Sequence, residues 1–132
     1  QRRPNHWRLV EASSLSAVSQ LLMPGSACHN EIVLLDAHGG LVASELELDE
    51  QCWLELQATF VMALANRLTP VVLVAEEVGW GVVPPTAIGG RFRDRNGSFT
   101  RLCEEHCKES WLVTAGRALP LHQLAVRLPP TT

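Results

Sequence analysis

Lysine is nearly absent from this chain of 132 residues: ten of its 11 basic residues are arginine, and Lys108 is the one lysine. Chemistry that needs a lysine, in a phosphate-binding loop or as a Schiff base, must use Lys108 or a residue outside these 132. A basic excess is missing too. With 14 acids against 11 bases the net charge is −3, and the isoelectric point lies near 5.9. That balance argues against a general nucleic-acid or membrane-surface binder, which presents a basic face. No apolar run approaches the roughly 20 residues of a membrane span, and no charged-then-apolar leader opens the chain. Cys28, Cys52, Cys103 and Cys107 contain no CxxC pair and are too irregularly spaced for a disulfide scaffold. They read as reduced thiols of a cytoplasmic protein.

What is present is three short apolar runs, at residues 31–37, 71–75 and 111–115. Each is too short for a stable helix and too uniformly apolar for a half-exposed strand, which marks buried strands of a parallel sheet. Between the first two, Asp49 reads as a helix N-cap, and Trp53, Leu56, Phe60, Leu64 and Leu68 form one apolar stripe. Thr69-Pro70 stops that helix. A second crossover runs from about Thr86 to Cys107 and takes Lys108 into its end, with Gly89, Gly90 and Gly97 weakening its helicity. Ahead of these, residues 6–11 read as a strand and 14–22 as a short helix closed by Pro24-Gly25; beyond Gly116, residues 118–121 read as a short edge strand. The pattern predicts one α/β domain over 1–132, a mostly parallel sheet with flanking helices and right-handed crossovers.

Ligands of open α/β sheets bind beyond the carboxyl ends of the strands. Those ends carry Asp36, then Glu76 and Glu77, then Thr114. An acid closing an apolar strand suits a Mg²⁺–nucleotide site, and equally a plain strand cap. The stretch 76–85, Glu-Glu-Val-Gly-Trp-Gly-Val-Val-Pro-Pro, describes a shaped, stiff loop. Gly79 and Gly81 permit backbone conformations or close approaches that a side chain would block. Trp80 is either an exposed contact or a plug for its own loop. Arg91 and Arg95 share a helix face that could meet an anion, a neighbouring subunit or solvent. Cys103, His106 and Cys107 place three soft ligands along one helix, but zinc needs a fourth.

Residues 77–84 (Glu-Val-Gly-Trp-Gly-Val-Val-Pro), Arg91-Phe-Arg-Asp94 with Gly97, and Trp111-Leu-Val-Thr-Ala-Gly116 together resemble the bifunctional adenosylcobinamide kinase/adenosylcobinamide-phosphate guanylyltransferase family of cobalamin biosynthesis. So does Arg3-Pro-Asn-His-Trp7 with Val10-Glu11. The Ala-Glu-Glu and Gly-Trp-Gly variants are most similar to cyanobacterial members, and the resemblance runs from about residue 2 to residue 124. It implies a P-loop, RecA-like fold assembled as a homo-trimer. It also implies phosphorylation of the aminopropanol hydroxyl of adenosylcobinamide, then transfer of GMP from GTP through a guanylylated histidine. GTP or ATP with Mg²⁺ is the implied cofactor set. Asp36 matches the Walker-B-like acid and implied metal residue, Glu77 the acid of the Glu-Val-Gly motif, Gly79 and Gly81 its nucleotide-binding loop, and Glu11 an acid near the guanine site.

The departures from that pattern are as specific. No G-x-x-x-x-G-K-[ST] occurs here, so the fold reads as a truncated P-loop domain, its C-terminal part. The guanylylated histidine is expected upstream of Arg3-Pro4, leaving no catalytic residue within the chain; His6 is not that residue. Ala37-His-Gly-Gly40 replaces a polar and aromatic helix start, with His38 as a solvent-facing loop residue or a carrier of altered chemistry. Thr100-Arg101 replaces an Asn-Gln pair. Two expectations follow: a fragment of the enzyme that is inactive alone, or a non-catalytic paralogue serving as an oligomeric binding or assembly module. Either way, loss of a central strand leaves apolar flanks open and predicts self-association.

Overall fold

The computed structural model describes residues 7–11 and 14–129. Three short strands, β1 (Trp7–Val10), β2 (Ile32–Asp36) and β3 (Val71–Val74), form a parallel sheet in the order β1-β2-β3. Its register aligns Leu9 with Leu34 and Val72, and Val10 with Leu35 and Leu73. The crossovers carry α1 (Leu15–Leu22), then α2 (His38–Ser44) and α3 (Glu50–Ala65). After β3 come a single 3₁₀ turn at Val78–Trp80 and the long helix α4 (Ala87–Glu105).

Each main helix starts where a short polar side chain satisfies a free backbone N–H. Ser14 accepts from Ala17 N at 3.1 Å, Asp49 from Cys52 N at 2.8 Å, and Thr86 from Gly89 N at 3.2 Å. The predicted helix over residues 14–22 and the Asp49 cap are therefore observed. Trp53 and Phe60 are buried, and Leu56 and Leu64 pack against the core. Leu68 is not part of that stripe: α3 ends at Ala65 and Leu68 is fully exposed, because the chain turns into Thr69-Pro70 before another helical turn forms.

One core joins Val10, Val33 and Leu35 of the sheet to residues of α1 through α4. At its centre Phe99 meets His38, Trp53 and Phe60 edge-on, with ring centroids 5.3, 5.8 and 5.3 Å away. All four helices thus lie over one face of the sheet. The other face is open, with Leu9 at 52%, Val72 at 38% and Val74 at 39% exposure.

The third apolar run departs from expectation. β4 (Trp111–Thr114) is not a buried parallel strand; it pairs antiparallel with β5 (Arg117–Pro120) in a separate two-stranded sheet. Ala115 and Gly116 both have positive φ, 47° and 72°, which is the backbone a two-residue hairpin needs. Apolar content alone cannot separate a buried strand from a hairpin that has no layer above it. A short α5 (Leu121–Leu124) follows, while Lys108 lies just past α4 rather than within it. Of the 6–11 strand, His6 lies outside the described residues.

Candidate functional site

The site is built at the carboxyl edge of the parallel sheet. Glu11 directly follows β1, Asp36 ends β2, and Glu76 and Glu77 follow β3. Asp36 is exposed and pairs in register with Val74, so the two strand ends stand side by side. Three neighbouring strands therefore deliver acids to one rim. At the β3 end of that edge lies a groove of about 1120 Å³, whose walls include Trp53, Gln57, Glu77, Gly79, Arg91 and Arg101; Glu11, Asp36 and Gly81 are not among its lining residues.

The two adjacent glutamates, indistinguishable in sequence, part company here. Both are exposed, but Glu76 is tied down: its Oε2 accepts from Gly39 N at 3.0 Å, and its main-chain oxygen accepts from Asn96 Nδ2 at 3.2 Å. The Glu77 carboxylate has no hydrogen-bond partner among the described residues and stays at the surface. Arg93 Nη2 donates to Gly79 O at 3.3 Å, fastening the far end of the loop to α4. Trp80 is 68% exposed, so it does not plug its own loop.

Gly79 and Gly81 are not required by backbone strain or by a close approach. Neither Gly79 nor Gly81 has a positive φ; a side chain at Gly79 would meet open space, and one at Gly81 only an ordinary contact. The crowded glycines are Gly39, where an added Cβ would stand 2.6 Å from Glu76 Oε2, and Gly89, where it would stand 2.6 Å from Pro84 Cβ.

His38 is also not a solvent-facing loop residue. It opens α2, is 1% exposed, and places Nε2 3.0 Å from Thr100 Oγ1 on α4. Burial lowers its pKa from the usual 6.5, against the opposing pull of the Glu76 charge. Sequence reasoning missed this cluster of His38, Asn96 and Thr100, whose members come from two helices far apart in sequence.

Arg95 is committed to the scaffold rather than to an anion. Its guanidinium donates to Glu45 O at 2.9 Å and Leu48 O at 2.8 Å, and lies 5.1 Å from the Trp53 ring centroid. Arg91 is exposed and donates to Leu46 O at 3.1 Å. Cys103, His106 and Cys107 are not gathered into a metal site, and among the described residues no three His, Cys, Asp or Glu side chains are. Burial instead pushes the Cys103 thiol up to about 12.

A family model described as cobinamide kinase / cobinamide phosphate guanyltransferase matches residues 1–121. The chain belongs to that family. It is 30% identical over 130 residues to the bifunctional adenosylcobalamin biosynthesis protein CobU of Escherichia coli K12, covering 88% of this chain and 70% of that protein. The CobU protein of Salmonella typhimurium is 29% identical over 125 residues, 86% and 69% of the two chains. The CobP protein of Pseudomonas aeruginosa is 28% identical over 122 residues, 91% and 68%. The cobinamide kinase/guanylyltransferase chemistry of cobalamin biosynthesis is thus the family's activity, and the parallel α/β sheet with its acid-lined carboxyl edge is consistent with its P-loop-like fold. Among the described residues no helix is long and apolar enough to cross a membrane.

Proposed function

We propose that residues 1–132 furnish the acidic, nucleotide-facing side of a cobinamide kinase and cobinamide-phosphate guanylyltransferase. The observation that carries this reading is the rim itself: Glu11, Asp36 and Glu77 each follow the carboxyl end of one of three adjacent parallel strands. GTP or ATP is the nucleotide and adenosylcobinamide the acceptor. Mg²⁺ usually keeps several waters and binds through one or two carboxylates plus substrate phosphates. An exposed Asp36 on a rigid strand, with no cluster of three metal-ligating side chains among the described residues, fits that mode; the ion would neutralise phosphate charge there.

Phosphate recognition normally draws on several backbone N–H donors, a helix N-terminus and a lysine. Residues 1–132 contain no G-x-x-x-x-G-K-[ST], and Lys108 lies beyond α4. A polypeptide of these residues alone therefore binds GTP–Mg²⁺ poorly and catalyses neither step, none of its histidines taking the guanylyl group. Isothermal titration with GTP and Mg²⁺ tests this, and micromolar affinity refutes it.

The open face of the sheet supports self-association, since parallel sheets are ordinarily covered on both faces. Leu9, Val72 and Val74 there, and Trp111 and Val113 on the hairpin, leave apolar surface for a second copy, in keeping with the trimer that the resemblance implies. Sedimentation of the polypeptide as a monomer at micromolar concentration rules this out.

A further inference from the structure

The two adjacent acids do different work, and the unassigned one is Glu76. We propose that Glu76 is a positioning residue that fastens the loop 76–81 to α2 and α4 and so presents Glu77 to the nucleotide. The consequence for Glu77 rests on the functional reading above; the fastening itself does not.

The loop is anchored through both halves of one residue. The Glu76 side chain accepts from Gly39 N, the second residue of α2, and its main chain accepts from Asn96 of α4. The same main-chain oxygen also lies 3.1 Å from Val78 N, so the anchor continues into the 3₁₀ turn. A Cβ at position 39 would fall 2.6 Å from Glu76 Oε2, so a larger residue there displaces the carboxylate from this seat. Asn96 is fully buried, and Thr100, one turn further along α4, bonds to its main-chain oxygen at 2.8 Å. His38, buried between α2 and Phe99, meets that same Thr100 hydroxyl at 3.0 Å. The two helices that hold Glu76 are therefore tied to each other immediately behind it. The bond from Gly39 N to a carboxylate also belongs to the stronger class of hydrogen bond. With the Glu76 carboxylate engaged by α2, Glu77 is the acid of the pair without a hydrogen-bond partner among the described residues.

The substitutions that test this sit on opposite ends of the seat. Glu76→Ala removes the carboxylate; Gly39→Ala leaves it intact and pushes it off the α2 N–H. Glu76 is surface-accessible, and the clash at position 39 falls on the end of a flexible side chain, so both variants keep the fold. The readout is hydrogen–deuterium exchange of the Val78, Trp80 and Gly81 amides, each hydrogen-bonded within the turn, measured without nucleotide. Each substitution should speed their exchange by about three- to tenfold, the effect of losing one such hydrogen bond. The double variant should exchange no faster than either single one, because both remove the same contact. Glu76→Gln keeps an oxygen acceptor but not its charge, and should exchange more slowly than Glu76→Ala and no more slowly than the unsubstituted chain. Unchanged exchange in the single variants, additive effects in the double, or Gln behaving like Ala would each overturn the proposal. Because no nucleotide is present, failure here is distinct from failure of the nucleotide reading, which the GTP titration decides.

Discussion

Replacing Arg95 with alanine should cost about 3–5 kcal/mol of folding stability. The residue is 6% exposed and its two terminal nitrogens donate to Glu45 O and Leu48 O, which lie in the connection between α2 and α3. Hydrogen bonds from a charged donor contribute roughly 1.5–3 kcal/mol each. Stacking over Trp53 at 5.1 Å adds about 0.5–2 kcal/mol. The sum is an upper bound, since water entering the vacated space re-satisfies part of the carbonyl need. The ion pair to Glu50 adds little: it is 3.5 Å long and the glutamate side chain is 74% exposed. Glu50→Ala should therefore change stability by less than about 0.5 kcal/mol. Arg95→Lys should remain destabilising, because one ammonium cannot span two carbonyls as a planar fork does. Urea unfolding followed by far-UV circular dichroism reads all three. A loss below about 1 kcal/mol for Arg95→Ala refutes the reasoning, and would return Arg95 to the role of an anion or subunit contact.

Stability should fall as pH drops through the acid side of neutrality. Burial lowers the His38 pKa below its unfolded value of 6.5, so the neutral-ring contribution is fully present above 6.5 and is lost as pH falls through the lower folded value. Urea midpoints between neutral and mildly acid pH should show this decline in the parent chain and a weaker one in His38→Gln; equal slopes reject it. Asp49→Ala should destabilise by about 1 kcal/mol through loss of the α3 cap, again by urea unfolding. The same substitution should speed alkylation of Cys52, whose thiol is exposed and held above its usual range by the Asp49 hydrogen bond and charge. Intact mass spectrometry with iodoacetamide should find Cys52 modified while Cys28 and Cys103, both buried, stay unmodified in the native state.

The legible parts of the fold were those decided locally. Caps at Ser14, Asp49 and Thr86 need only a polar side chain a few residues ahead of an apolar stripe, and each helix begins where that pattern puts it. The 111–115 run was misjudged because its apolar character is a statement about burial, and burial depends on what lies above the strand. A positive φ at Ala115 was equally invisible, since alanine carries no left-handed signal. At the site, the strand-end acids were readable from run length alone. The tie of Glu76 to α2 was not, because it depends on Gly39, 37 residues away in sequence.

The arginine-rich, lysine-poor composition acquires a structural side from Arg95 and Arg67. Arg67 Nη2 donates to Cys28 O and, at 2.7 Å, to Glu31 O, joining the end of α3 to the approach to β2. Both arginines sit where several main-chain carbonyls converge without helix or sheet partners, and a five-donor fork satisfies them together. His38 and Thr100 show the same logic of paired contacts. His38 and Thr100, read separately, are an odd insertion and an unexplained replacement. In the structure they touch, with Nε2 and Oγ1 3.0 Å apart, on the two helices that hold Glu76. Removing either side chain takes from the other the contact it makes between the two helices. The two positions are coupled through that contact, so the losses of stability on replacing His38 and Thr100 singly should sum to more than the loss in the double variant, measured by urea unfolding.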